Sequence, residues 1–153
     1  MSSYRQQIAD AIQARLETIL PGKVFNLPSG AYTCTSTIST AYQWRKTVFS
    51  KADLPGVCFR DEDADVVPGP VGIHESHMKI ALEAIMAPST LATTARAMLA
   101  DIVAAIGSDP RWGGLAYWTD IHSHSIDLDQ AGDAIPACQV LFTVTYRTPL
   151  WQM

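Results

Sequence analysis

The sequence predicts an α+β domain: a mostly antiparallel sheet of about five strands with two amphipathic helices packed on one face. Three observations carry this. Residues 137–150, ACQVLFTVTYRTPL, place Cys138, Val140, Phe142, Val144 and Tyr146 at period two with mostly polar residues between them, the pattern of a half-buried strand. Residues 91–106 repeat apolar side chains at helical spacing. The order helix, three strands, helix, two strands lets two one-faced helices cover a single sheet.

The elements follow in order. Ser2 or Ser3 caps a first helix running to about Leu20, with Ile8, Ile12, Leu16, Ile19 and Leu20 on one face and Pro21-Gly22 as its stop. Residues 23–27, KVFNL, form a short strand closed by Pro28-Ser29-Gly30. Residues 31–53 are rich in Thr and Ser without a sustained period and read as a long loop. Residues 54–60 make a strand that runs into an acidic turn, Asp61, Glu62, Asp63 and Asp65, before the turn Val67-Pro68-Gly69-Pro70. In 71–86, Met78, Ile80, Leu82, Ala84 and Met86 share one parity while Glu75, His77, Lys79 and Glu83 share the other, which predicts a strand. Ser89 caps the second helix, whose face is Leu91, Ala95, Met98, Leu99, Ile102, Val103 and Ile106; Gly107 and Asp109-Pro110 end it. Trp112-Gly113-Gly114 leads to a strand over 115–128, a turn containing Gly and Asp, and the terminal strand, which pairs antiparallel with its predecessor.

Composition narrows the function. With 153 residues, 48% of them hydrophobic, the chain has material for one core and is read as a single domain over 1–153. A net charge of −4 and a pI near 5.4 give no global case for nucleic-acid binding, so none with sequence specificity is expected. Cys34, Cys58 and Cys138 are odd in number, far apart and without CxxC spacing, which points to reduced thiols in a cytosolic setting rather than a disulfide framework or a zinc ribbon. No apolar run approaches about 18 residues, and neither a signal peptide nor a membrane span is expected.

Motifs that would carry chemistry are weak. His122 and His124 lie two apart on a predicted strand with Asp120 in the same parity, a spacing a metal can use; His74 and His77 have opposite parity and cannot join them. The acidic run fails as a calcium loop, since counting from Asp61 puts Val66 where glycine is needed and Gly72 where glutamate is needed. Ser76 lacks a nucleophile-elbow sequence, Cys58 reads as a small core residue, and Gly113-Gly114 follows a helix where a phosphate loop would precede one. No catalytic residues, no metal and no cofactor are expected. The basic and aromatic residues Trp44, Arg45, Lys46 and Lys51 of the long loop form a candidate contact surface, and Arg60, Asp61, Glu62, Asp63 and Asp65 form an oppositely charged one.

Taken together, the segments RQQIADAIQARLETI, KVFNL, LPGVCFRDEDADV, HMKIALEAIM, TARAMLADIVAAIG, LAYWTDIHSHSIDLD and VLFTVTYRTP resemble, in their order, the small tail-terminator and minor tail proteins of long-tailed bacteriophages, the lambda-like tail-completion group. The resemblance covers most of the chain apart from 31–53. It implies a structural, non-enzymatic virion protein, assembled in the bacterial cytoplasm and resident in the tail. Such a protein closes into a homo-oligomeric ring, with a hexamer expected, ends tube polymerisation and meets the tail tube protein and the head-tail connector. Two other classes compete with it: a small-molecule module with a pocket between helix 89–106 and the sheet, and a metalloenzyme built on His122, His124 and Asp120.

Overall fold

The computed structural model describes residues 2–44, 49–88, 90–129 and 135–152, except the side chains of Lys51 and Asp129. The first helix, α1, covers Tyr4–Leu16 behind Ser3, whose hydroxyl accepts from the Gln6 N–H at 3.1 Å. It ends short of the predicted Leu20 because Thr18 and Ile19 donate to Arg15 and Leu16 in a tightened last turn. Ile8, Ile12, Leu16 and Ile19 are all buried, as their spacing requires.

Strands β1 (Val24–Leu27) and β2 (Gly30–Thr33) pair antiparallel as a separate hairpin. Residues 31–53 are not a structureless loop. They contain most of β2, the strand β3 (Thr40–Gln43) and a 3-10 turn over Lys51–Asp53. The four residues of β3 are too few to display a period, and their partner lies beyond the 3-10 turn, in parallel register from Thr40↔Gly56 to Gln43↔Phe59. No local signal reports such a pairing.

The main sheet has the order β3-β4-β5-β7-β6, with β4 at Gly56–Pro68, β5 at Ile73–Ile85, β6 at Trp118–Asp129 and β7 at Ile135–Pro149. All its pairings except β3 with β4 are antiparallel. The sheet has the predicted five strands, but β1 is not among them and β3 takes that place. The acidic run is not a turn either: Asp61, Glu62, Asp63 and Asp65 lie within β4. Carboxylate residues are poor strand formers, but the β5 register carries β4 through them, and a bulge between Asp61 and Ala64 absorbs one extra residue.

The second helix, α2, covers Ala92–Ser108 and begins at Leu91; the predicted cap, Ser89, lies outside the described residues. Its buried face is rotated from the predicted one. Leu91 is 71% exposed, whereas Asp101, Ala104 and Ala105 are buried beside Ala95, Met98, Ile102 and Ile106. Gly107 does not stop the helix; Arg15 of α1 does much of that work, donating from Nη1 to the carbonyls of Ala105 (3.3 Å) and Asp109 (2.7 Å). The same guanidinium lies 3.8 Å from the centroid of the buried Trp112 ring.

Rows of cross-strand partners make the core. Phe59, Leu82 and Val140 form one row, and Val57, Ala84 and Cys138 the next. Val140, Phe142, Val144 and Tyr146 are buried as their parity predicts, and with the inner residues of α1 and α2 they form one cluster. Both helices therefore cover the same face of the sheet. The thiols of Cys34 and Cys138 sit in or beside this cluster, each pushed up to about 11 by burial and so protonated at neutral pH.

Candidate interaction surfaces

The acidic run is built into its own chain. Asp61 has the parity of Val57 and Phe59 and pairs with Ile80, so it points toward the helix-covered face. There it accepts from the Arg5 Nε of α1 and, at 2.6 Å, from the Trp44 indole N–H. Arg5 also reaches the Glu62 carbonyl at 2.6 Å. Burial raises the Asp61 pKa, but the hydrogen bonds from Trp44 and Arg5 outweigh it and hold the carboxyl below its ordinary value. Arg60 pairs with Glu62 at 3.1 Å, and Lys79 lies 3.0 Å from Asp63 and 3.8 Å from Asp65. An inward-pointing carboxylate, a bulge and a lattice of charges are three devices that discourage pairing along an open strand edge. Among the described residues this stretch of β4 is one, because β3 covers only Gly56 to Phe59.

Trp44 and Asp61, assigned from the sequence to two surfaces, meet within one chain. Trp44 is 57% exposed. Arg45, Lys46 and the Lys51 side chain lie outside the described residues.

The shared face predicted for His122 and His124 does not hold. A register shift separates Ile121↔Phe142 from Ser123↔Leu141 and leaves His122 as the extra residue. The His122 ring bonds Thr143 Oγ1 at 2.6 Å, and Asp120 is the partner of Thr143; His124 instead pairs with Val140, whose side chain enters the core face. The bulge thus turns the two imidazoles to opposite sides of β6. Among the described residues no group of three or more His, Cys, Asp or Glu side chains is placed to hold a metal.

Asp101 lies beside the predicted apolar face of α2, where the sequence pattern places a charged side chain in solvent. It is fully buried and accepts from the Tyr32 hydroxyl at 2.7 Å, the Ser36 N–H at 2.8 Å and the Thr35 N–H at 3.3 Å. Burial, followed by the bond to Asp101, pushes the Tyr32 phenol well above its ordinary value. The arrangement clamps the chain after β2 onto α2. Between them lies a pocket of about 420 Å³, walled by Thr35, Thr37 and Pro55 on one side and Thr94, Ala97 and Met98 on the other.

Two apolar surfaces remain uncovered by the described residues. Strand β6 forms an edge of the sheet; along its 12 residues Trp118, in register with Thr145, is exposed on one face, and Ile121, Ile126 and Leu128, in register with Phe142, Cys138 and Pro136, on the other. At the end of the sheet where β4 turns into β5, Val66, Val67 and Val71 stand exposed near Leu150 and Trp151. Compared with models of protein families and with curated proteins, the sequence matches none.

Proposed function

We propose that this chain is a structural, non-enzymatic protein of a phage-type tail. Copies assemble into a ring, with a hexamer expected, on the end of the tail tube, end its polymerisation and offer the surface that meets the head connector. Its place is the virion tail, reached after assembly in the bacterial cytoplasm. The resemblance of the ordered segments supplies the family. The observation that carries the reading is β6, a long edge strand whose exposed large apolar side chains call for cover by another chain. A part whose task is contact with copies of itself and with a stack of tube subunits needs such surfaces more than it needs a cleft.

Complementation of a tail-assembly defect tests the reading, with particles imaged. The wild-type chain restores tails of uniform length, and its omission gives tubes of uncontrolled length. Uniform tails without the protein refute the terminator role. Trp118→Ser with Ile126→Ser reads the edge: both side chains are exposed, so the fold persists while complementation fails.

A further inference from the structure

The rows that build the core run out at β6. Ile80, Phe142 and Ile121 form one row across β5, β7 and β6, and Ala84, Cys138 and Ile126 form another. The first two members of each row are buried, whereas Ile121 is 37% and Ile126 40% exposed. A further strand laid along this edge would continue both rows with apolar side chains of its own. Its backbone would also pair the groups that β6, as the last strand of the sheet among the described residues, directs outward.

The opposite face of β6 sets the charge of such a strand. Residues 118–129 hold three aspartates and neither Lys nor Arg. Asp120 and Asp127, in register with Thr143 and Ala137, are exposed on the face that the helices leave open. Among the described residues neither enters an ion pair, in contrast to Glu62, Asp63 and Asp65 of β4. Asp127 and Glu83, which is likewise exposed and outside every described ion pair, line one groove of about 290 Å³ with Ala137 and Gln139. Two carboxylates lining a groove beside the strand edge give a cationic side chain arriving from that edge a place to lie.

A second copy of the chain fits this edge poorly. The antiparallel register that sets Ile121 against Ile126 of another β6 also sets Asp120 against Asp127, twice over, with like charges directly opposite. The other open edge, residues 60–68 of β4, holds four acidic residues and a single cation, Arg60, which is paired with Glu62. The same carboxylates repel nucleic acid. We propose that β6 is the docking edge for an extended segment of a different protein, added as a sixth strand of the main sheet. Its apolar residues continue the two core rows, and the residues between them are Lys or Arg facing Asp120, Asp127 and Glu83. The charges that turn away another copy thus select the partner. The inference rests on the reading above that another chain covers β6; it adds the chemistry of that chain and leaves contacts between copies to other surfaces.

The probe is a labelled synthetic peptide in which Lys alternates with Val, used beside one twin with Glu at every Lys and another with Ser at every Val. Anisotropy titrations give the affinity, and amide hydrogen exchange locates the peptide on the full-length protein. The wild type binds the Lys-Val peptide, binds it less as salt rises, gains protection within 118–128 and leaves both twins unbound. Glu83→Gln with Asp127→Asn, both at exposed positions and checked by thermal melt, weakens binding about tenfold, the effect of losing two exposed ion pairs of a few-fold each. Asp63→Asn with Asp65→Asn, on the other edge, leaves the affinity unchanged. No binding of the Lys-Val peptide, equal binding of the Glu twin, protection within 60–68 in place of 118–128, or an affinity unmoved by the Glu83 and Asp127 changes overturns the proposal. So does protection of 118–128 that appears in the protein alone as its concentration rises, which assigns the edge to a second copy. Tail complementation judges the tail reading separately. If Trp118→Ser with Ile126→Ser fails to complement and the Lys-Val peptide does not bind, the tail reading is retained and this partner removed; uniform tails without the protein remove the tail reading and leave the peptide result standing.

Discussion

The two ends of the main sheet are made from the same strands and obey different rules. At the end near α2, alternation sorts the side chains: Val57 and Phe59, Leu82 and Ala84, Cys138 and Val140 are buried while Glu83 and Gln139 face solvent. At the other end β4 continues through Val66 and Val67 with both exposed, although one of them has the parity of the core. The difference lies in the third dimension. Alternation creates an apolar face, but burial occurs only where a helix or loop lies over that face, and the helix-covered region stops short of the β4–β5 turn.

The largest expected effect belongs to the covered end. Phe142→Ala removes a fully buried ring from the central row and should cost about 3–5 kcal/mol by chemical denaturation. Thr143→Ala, one residue along, removes a smaller buried side chain together with its bond to His122 and should cost about 1 kcal/mol. A reversal of the two costs would break the assignment of the buried face.

Next comes Asp101→Ala, which strands the Tyr32 hydroxyl and the Thr35 and Ser36 N–H groups and should destabilise by about 2–3 kcal/mol. Hydrogen exchange should rise first in 34–38. Unchanged exchange there would mean that the clamp on the pocket wall does not depend on this carboxylate.

Asp61 sits at the boundary between the two ends. Its folded pKa is lowered, so its contribution is complete above the unfolded value of about 3.9 and disappears as pH falls through the folded one. Asp61→Ala should therefore cost about 1 kcal/mol at neutral pH and progressively less below about pH 4, by denaturation across a pH series. A cost independent of pH would show that packing, not charge, joins α1 to β4 here. Reversal of Asp61, Glu62 and Asp63 together to Lys would spare the fold of a free acidic turn, but here it breaks the contact of Asp61 with Arg5, so it tests stability as well as assembly.

The smallest effect on stability lies at the β4–β5 turn. Val71→Asp alters a fully exposed side chain and should leave the melting free energy within about 0.5 kcal/mol of the wild type. A larger loss would mean that the exposed end is packed after all and would erase the contrast between the two ends.

The sequence by itself determined what repeats along the chain. The parities of 71–86 and 137–150, the spacing of Ile8, Ile12 and Leu16 and the Ser3 cap are local patterns that carry the strands, the first helix and the α+β class. Only the tertiary structure decided what depends on a distant partner. It recruited 40–43 as a strand beside β4, drew the acidic run into β4 and bulged β6 at His122, which split the histidine pair. Along with these it made Asp101 an interior anchor, and it set Trp44 against Asp61 within one chain. The physical reason is common to all: periodicity encodes the direction of a side chain, whereas register, bulges and the pairing of a buried charge are fixed by groups dozens of residues away, which the local pattern does not contain.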